Sequence, residues 1–343
     1  MMARTYEFSV GAGDSGLRLD RYLARRLPAS VSRAMIQRAI REGLVNVGGR
    51  AVKAHHRLHQ GDRIAARFDQ LPAPPRDVDL VPQPIPLEIA YEDADLLVVN
   101  KPAGLVTHPA PGHWDGTLVN AILWHLGQAA SCKLQAASSK SPPLQPAARS
   151  LRPSLVRAGI VHRLDKDTSG LLLVAKNELA HIALSRQLKS RTIRRCYLAL
   201  VEGHLPLDAG TINVPIGRHA THRKEMTVRH LGGRSAVTHY RVIKRFGRTD
   251  VPYTLLELSL ETGRTHQIRV HLAHVGHPVL GDPVYGRRPT GDWQAMGIGR
   301  QLLHAYAIRF VHPTTRTPLT LRSRIPEDMS RWLGGCEIDR VCG

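Results

Sequence analysis

The pattern of apolar and polar positions in residues 5–69 predicts two short helices and a hairpin. Apolar side chains recur at helical intervals over residues 19–27 and again over residues 34–40. An alternating run, residues 44–47, then leads into a Gly-Gly pair, which is typical of a strand that enters a tight turn. We expect these elements to form one small module.

A longer stretch that begins at residue 87 contains both strand and helix patterns. Short apolar runs typical of buried strands occupy residues 96–101, 158–161 and 171–175, and the segment at residues 87–93 is followed by a turn before the first of them. Alternation of apolar and polar positions, which also indicates strands, occupies residues 192–203 and 255–263. Helical spacing occupies residues 117–126 and 177–189. The stretch therefore mixes strands with helices.

Proline and alanine content divide the chain further. Six prolines fall within residues 70–86, which predicts an extended linker between a domain of residues 1–69 and a domain of residues 87–330. Residues 128–157 are rich in Ala, Ser and Pro and contain basic but no acidic residues, so we predict a mobile insertion in the second domain. Residues 331–343 are expected to form a C-terminal tail.

Charge points to a polyanionic partner. Lys and Arg number 48 against 28 Asp and Glu, which gives a formal net charge of +20. A membrane-surface protein would need an amphipathic basic helix or a lipidation signal, and neither is found. The chain contains no apolar run of about 20 residues and no secretory signal. We therefore expect a cytoplasmic protein.

One polar segment, HRLDKDTSG at residues 162–170, concentrates chemical groups between two apolar runs. Such a segment belongs at the end of a strand, where sites are usually built. It offers one imidazole, one guanidinium and two carboxylates, those of Asp165 and Asp167. An ordinary charged loop closed by an Asx or ST turn has the same composition, so the pattern alone leaves both interpretations open.

The segment resembles the motif HRLDxxTSG of the RluA family of pseudouridine synthases. The resemblance implies that Asp165 is the catalytic aspartate and that Arg163 helps to displace the target base from its stack. His162 becomes a further candidate for substrate binding. Asp167 occupies a variable position of the motif and receives no catalytic role.

Three other segments resemble the same family: YEDADLLVVNKPAGLVTHPAPG at residues 91–112, RRCYLALVEG at residues 194–203 and GRTHQIRVHLAHVGHPVLGDPVYG at residues 263–286. The resemblance implies that Tyr197 stacks on the target uracil, that Arg269 pairs with Asp165 and that Arg264 contacts the substrate. An arginine partner has a physical purpose, because a carboxylate in an apolar pocket would otherwise become protonated and lose its nucleophilicity.

The first domain resembles the S4 RNA-binding domain, in which two helices present a basic face to structured RNA. The candidate RNA-binding residues are arginines on and beside these helices: Arg18, Arg21, Arg33, Arg38 and Arg41. An ordinary solvated helix face is the alternative interpretation. The implied fold is a small N-terminal S4-like (αL) RNA-binding domain, followed by an α+β catalytic domain with a mixed, mostly antiparallel β-sheet flanked by helices and loops.

The resemblance implies isomerisation of uridine to pseudouridine in structured RNA without a cofactor. The sequence does not indicate the oligomeric state, and we take a monomer as the default expectation. The most specific resemblance implies that the target uridines lie in helix 69 of 23S rRNA, in the large ribosomal subunit. The same chemistry on another rRNA site or on tRNA stays open, as does a non-catalytic S4-type assembly factor. Asp165 either attacks covalently or abstracts a ribose proton.

A metal-dependent hydrolase that uses Asp165, Asp167 and histidines is a third hypothesis, because four histidines lie close together in the sequence: His266, His271, His274 and His277. No HExxH pairing occurs among them, and no carboxylate lies between them, so we expect no metal site. Loss of activity in a chelator would support the hydrolase.

Overall fold

The computed structural model describes residues 5–27, 33–67, 80–109, 115–137, 159–222, 225–247, 251–336 and 338, with side chains omitted at residues 33–35 and 129–137. The chain forms two compact units, Met1–Asp79 and Leu80–Gly343. Most of the predicted linker, residues 70–79, lies outside the described residues. The finer domain limits stay predictions.

The first unit is a four-stranded antiparallel sheet covered by two helices. Its elements are β1 (Thr5–Ser9), α1 (Leu19–Arg26), α2 (Arg33–Arg41), β2 (Val45–Val47), β3 (Arg50–Ala51) and β4 (Arg63–Arg67), with strand order β1-β4-β2-β3. Leu19, Leu23 and Ile36 are fully buried between the helices and the sheet. Gly48 and Gly49 join β2 to β3 with positive φ angles, which the tight hairpin requires. The two helices and the hairpin are confirmed.

The second unit is built on one large sheet. Its strands are β5 (Glu88–Glu92), β6 (Leu96–Lys101), β7 (Ser169–Ala175), β8 (Arg194–Glu202), β9 (Ala209–Asn213), β10 (Ile216–Arg218), β11 (Met226–Val228), β12 (Val237–Phe246), β13 (Tyr253–Leu260), β14 (Leu303–Val311) and β15 (Pro318–Arg322). Its helices are α3 (Leu118–Ala137), α4 (Glu178–Lys189), α5 (Gln267–His274), α6 (Thr290–Ala295) and α7 (Glu327–Ser330). The sheet order is β5-β6-β7-β14-β8-β13-β12-β9, with β15 on β14 and a separate β10-β11 hairpin.

Only β7 and β14 run parallel among these pairs, so the mixed, mostly antiparallel sheet is confirmed. Both faces of β8 are covered, because successive side chains of a strand point to opposite faces. Tyr197 and Ala199 join the core on one face, whereas Leu198 and Leu200 join the core on the other. A central strand buried on both faces gives the site a rigid base.

Three sequence expectations need comment. Of the predicted strand at residues 158–161, residue 158 lies outside the described residues, and residues 159–161 form no regular strand. Ile160 makes one isolated bridge to Val174, because Gly159, at φ 69°, turns the chain there. Helix α3 runs to Ala137, past the predicted end at residue 126, since residues 128–137 contain neither Gly nor Pro. The predicted insertion therefore begins as helix, and its remainder, residues 138–157, lies outside the described residues.

The end of the second unit packs onto its core. Leu333 and Ile338 are buried with Trp293 on the face of the sheet opposite Tyr197. The predicted tail therefore contributes apolar contacts as far as residue 338. Within the described residues, no helix combines the length and the apolar character that a membrane span needs.

Candidate active site

The segment at residues 162–169 leads directly into β7, and its last residues are tightly packed. Gly170 has a φ of 112°, and a Cβ placed on it would lie 2.3 Å from the carbonyl oxygen of Ala305 in β14. The Ser169 hydroxyl lies 2.8 Å from Nδ1 of His304. The Ser-Gly pair of the motif therefore lets β7 approach β14 closely, which positions the loop in front of it.

Lys101, at the end of β6, holds the same loop through hydrogen bonds. Its Nζ is fully buried and donates hydrogen bonds to the carbonyl oxygens of Pro102 (2.8 Å), Leu105 (2.9 Å) and Lys166 (2.9 Å). Burial lowers the Lys101 pKa to about 7, although the charges of Asp167 and Asp165 oppose that shift. The lysine therefore fixes the backbone immediately after Asp165.

Two further side chains hold the loop through its carbonyl oxygens. The Thr107 hydroxyl donates to the carbonyl oxygen of Leu164 at 2.7 Å. Arg300 donates through Nη1 to the carbonyl oxygen of Asp167 at 3.0 Å, while Nε and Nη2 hold the carboxylate of Asp328. With Lys101, these contacts engage three residues of the loop, so its backbone is preorganised.

Asp165, on this loop, forms an ion pair with Arg269. Nη1 of Arg269 donates to Oδ2 of Asp165 at 3.2 Å, and 16% of the Asp165 side chain is exposed. The other two guanidinium nitrogens of Arg269 bind Asp282 at 2.7 and 2.8 Å. Arg269 is thus nearly buried between two carboxylates, of which only Asp165 reaches solvent.

Arg269 keeps its positive charge although it is nearly buried. Burial alone would lower the pKa of Arg269, but hydrogen bonding to Asp282 and the charges of Asp282 and Asp165 outweigh burial and raise it. Oδ1 of Asp282 also accepts the backbone N–H groups of Val284 and Tyr285, an Asx-type turn. The pair gives Asp165 a fixed positive neighbour in a region that water barely enters.

His266 stands on the other side of the Asp165 carboxylate. Its Nε2 lies 4.0 Å from Oδ1 of Asp165, and its Nδ1 lies 2.8 Å from the hydroxyl of Tyr285. Its backbone is in the left-handed region at φ 55°, a strained conformation for a residue with a side chain. Burial lowers its pKa, with Asp165 opposing and Arg269 reinforcing the shift, so a neutral imidazole faces the carboxylate.

Tyr197, on β8, lies in the same apolar core as Leu164 of the motif loop. It is 4% exposed, and its hydroxyl makes no hydrogen bond to another residue in the described part of the chain. Burial raises its pKa; the charge of Arg195 opposes the shift, and that of Asp165 adds to it. The phenol is therefore neutral near pH 7 and offers an aromatic ring close to Asp165.

The two residues that open the motif face different surroundings. Arg163 is exposed, and its charge adds to the lowering of the His266 pKa. His162 is buried, and its Nε2 accepts the backbone N–H of Leu173 at 3.1 Å. The imidazole of His162 therefore ties the loop to β7.

Arg264 is partly buried at the start of the α5 segment. Its Nε donates to the carbonyl oxygen of Ser235, and its backbone N–H donates to Oε1 of Gln267. The side chain is thus held along the chain that precedes β12.

Two of the arginines predicted to bind RNA through the first unit are engaged in ion pairs. Arg18 binds the buried carboxylate of Asp20 through Nε at 3.0 Å and Nη2 at 3.1 Å. Arg38 binds Glu42, the residue that follows the end of α2, at 2.8 Å. These pairs orient both guanidinium groups while 40% and 30% of the two side chains remain exposed.

The other three arginines predicted to bind RNA are Arg21, Arg41 and Arg33. Arg21 on α1 and Arg41 at the end of α2 are exposed. The side chain of Arg33 lies outside the described residues. Arg21 and Arg41 therefore present exposed positive charges, which phosphate contacts require.

Candidate metal ligands have other partners. Both ring nitrogens of His271 are hydrogen bonded, to Thr238 and to the carbonyl oxygen of Val214. In the described ranges, one group, Asp93 with Asp95 and His312, brings ligand atoms within 4.8 Å of one another. Asp93 and His312 there bind each other at 2.7 Å, so hydrogen bonding accounts for the cluster without an ion.

Sequence patterns missed four residues of this site. Asp282 and Tyr285 lie in the quoted segment 263–286, and an Asp-Pro-Val-Tyr turn after a buried run was the available signal. Lys101 was quoted within its motif without a role. Nothing in the local pattern around Arg300 distinguishes it from a surface arginine.

Comparisons with known proteins show the family to which the chain belongs. Residues 95–274 match the family model described as RNA pseudouridylate synthase, and residues 17–64 match the S4 domain model. An uncharacterized RNA pseudouridine synthase of Bacillus subtilis, YlyB, is 42% identical over 91% of this chain and 92% of its own length. Ribosomal large subunit pseudouridine synthase D of Nitrosomonas europaea is 43% identical over 96% and 87%, respectively.

The Pseudomonas aeruginosa protein of the same name is 40% identical over 97% of this chain and 95% of its own length. Among solved structures, human RNA pseudouridylate synthase domain containing 1 is similar, with 28% identity and a TM-score of 0.50. That match covers 70% of this chain and 83% of the human one.

Proposed function

This chain belongs to the RNA pseudouridylate synthase family and is an isomerase that acts on RNA, and from that premise we propose that Asp165 is its catalytic residue. The observation that carries the proposal is the contact of Asp165 with Arg269, whose remaining nitrogens are bound by Asp282. A buried arginine that holds one hidden and one accessible carboxylate orients the accessible one and places a permanent positive charge beside it. An ionised carboxylate is what attack or proton abstraction requires.

The reaction breaks the N1–C1′ bond of uridine, turns the uracil and forms a C5–C1′ bond in its place. Asp165 either attacks covalently or removes a ribose proton, and the C5 hydrogen leaves as a proton in both cases. Tyr197 holds the uracil by stacking, an interaction worth about 1–3 kcal/mol per base. The neutral Tyr197 phenol suits this role, because it brings no charge against the base.

The target base must leave its stack to reach Asp165, at a cost of a few kcal/mol that is least in loops. Arg163 is the predicted residue that helps to displace it, and its exposure two positions before Asp165 supports that role. His162 supports the loop backbone, so we assign it a positioning role toward the substrate. Arg264 is a candidate contact at the rim.

The S4 domain supports structured RNA as the substrate, with Arg18, Arg21, Arg33, Arg38 and Arg41 as proposed phosphate contacts. The names of the relatives support large-subunit rRNA. The narrower target, uridines of helix 69 in 23S rRNA, rests on the family resemblance of the sequence. A monomeric, cytoplasmic, cofactor-independent enzyme completes the proposal.

Tritium release tests the proposal directly, because C5 loses its hydrogen when it becomes the glycosidic carbon. Large-subunit rRNA transcribed with 5-tritiated uridine is incubated with the wild type or with Asp165→Asn, both in excess EDTA. Release by the wild type alone, with the modified positions mapped to helix 69, is the expected result. Equal release by both proteins would remove Asp165 from the mechanism, and release from other sites only would remove helix 69.

A further inference from the structure

Arg195 is a buried arginine that has no hydrogen-bond or ion-pair partner among the described residues. It is 9% exposed, and its Nε is buried with no hydrogen-bond acceptor. Within the described residues, no ion pair or hydrogen bond involves its guanidinium group. Buried arginines in folded proteins are normally paired, because a charge removed from water without compensation costs several kcal/mol. The free protein therefore carries an unsatisfied cation at this position.

Arg195 lies on the face of the sheet that holds the active site. It precedes Tyr197 by two positions on β8, so their side chains point to the same face, about 7 Å apart at roughly 3.3–3.4 Å per residue. The charge of Arg195 acts on both Tyr197 and His162. The guanidinium group thus stands beside the ring that is proposed to hold the uracil.

The surroundings leave one side of Arg195 open. Gly263, an exposed residue, lies beside it: a Cβ on that glycine would be 3.1 Å from Nη1 of Arg195. The acidic side chain nearest to Gly263 in sequence, Glu261, is already bound by Arg191 and by His239. Among the described residues, no carboxylate lies within ion-pairing distance of Arg195, and Gly263 places no side chain against its guanidinium group.

We propose that Arg195 binds a backbone phosphate of the RNA strand that carries the target uridine, within one nucleotide of the base stacked on Tyr197. This inference rests on the proposed function of the site. A planar guanidinium group binds phosphate oxygens in bidentate geometry, and RNA is the anion that this site receives. Phosphate binding satisfies the orphaned cation only in the complex, which makes the subsite specific to bound RNA.

A matched pair of variants tests the proposal: Arg195→Gln, and Arg194→Gln as the control on the exposed, opposite side of the same strand. For Arg195→Gln we expect KM for an rRNA fragment to rise at least tenfold with kcat changed much less. The slope of log Kd against log salt should fall by about 0.7, the value for one contact on single-stranded RNA. Arg194→Gln should change neither quantity.

Thermal unfolding distinguishes a ligand site from a structural arginine. Because Arg195 is unpaired in the free protein, Arg195→Gln should leave Tm unchanged or raise it, and Arg195→Lys should restore part of the RNA affinity. A lowered Tm together with wild-type KM and salt slope would show that Arg195 serves packing, and would overturn the proposal.

A second measurement leaves the protein sequence unchanged. Single methylphosphonate linkages are placed, one at a time, around the target uridine of the rRNA fragment. The wild type should lose affinity at one linkage, and Arg195→Gln should lose nothing further there. Equal losses in both proteins would refute the subsite. Absence of tritium release from any RNA would overturn the proposed function, whereas these binding measurements would still decide the role of Arg195.

Discussion

Gly170 in β7 and Ala305 in β14 approach so closely that no side chain fits between them: a Cβ on Gly170 would lie 2.3 Å from the Ala305 carbonyl oxygen. The φ of Gly170, 112°, is also one that side chains rarely tolerate. This contact joins the only parallel strand pair of the large sheet within the described residues. It places the loop that carries Asp165.

Gly170→Ala should therefore destabilise the protein and reduce activity together. Both the overlap with Ala305 and the positive φ act against the new methyl group, and we expect a loss of at least about 3 kcal/mol in unfolding free energy. Gly291→Ala in α6 is the control, because nothing lies within 4 Å of its Cβ position and alanine favours helix by about 0.5–1 kcal/mol. Denaturant unfolding of both variants checks the prediction; a stable Gly170→Ala protein would contradict the described packing.

Asp282→Asn should cost stability and activity because it leaves the buried Arg269 with one carboxylate fewer. Breaking one side of a buried ion pair typically costs about 3–5 kcal/mol. The control is Asp328→Asn, which breaks a similar two-nitrogen pair with Arg300 in which 41% of the carboxylate side chain is exposed. That variant should lose less than about 1 kcal/mol. Equal losses in the two variants would show that burial of the Arg269 pair is unimportant.

His162 predicts a pH dependence of stability. Burial lowers its pKa to about 3 in the folded protein, with the charge of Arg195 adding to the shift, against about 6.5 in an unfolded chain. Between those values the unfolded state binds the extra proton, so the contribution of His162 is complete above about pH 6.5 and is lost as pH falls toward 3. His162→Gln should flatten this dependence by up to about 1.4 kcal/mol per pH unit.

Urea unfolding of wild type and His162→Gln at pH 7 and pH 5 measures the effect. Glutamine keeps an acceptor for the Leu173 N–H, so its stability at pH 7 should remain close to that of the wild type. Parallel pH profiles for the two proteins would contradict the buried neutral imidazole.

Tyr197 should act mainly through its ring. Burial keeps its phenol neutral, so Tyr197→Phe preserves stacking and should retain most of the RNA affinity. Tyr197→Leu removes a stack worth about 1–3 kcal/mol, which corresponds to roughly 5–150-fold in affinity or rate. Binding and tritium release for the two variants check this order. A larger loss for phenylalanine than for leucine would assign the main role to the hydroxyl group.

Local sequence predicted much of the fold correctly. Helix α4 and strands β6, β7 and β13 agree with the apolar spacing. Each of them buries one or both of its faces, and this burial produces the apolar pattern in the sequence. The predicted end of α3 was wrong, because residues of good helix propensity continue past the expected boundary. The strand predicted at residues 158–161 was also wrong, because a turn at Gly159 leaves only a single bridge, between Ile160 and Val174. The family-specific motifs indicated Asp165, Tyr197 and Arg269 as site residues.

The sequence by itself determined the α+β class, the family and the residues that carry its motifs, because spacing and motif are local properties of the chain. Tertiary structure alone decided which groups meet. Arg269 reaches Asp165 across 104 positions, and Asp282 completes that pair from another turn. The missing partner of Arg195 is likewise visible only in three dimensions, since burial and pairing depend on every element that surrounds a side chain.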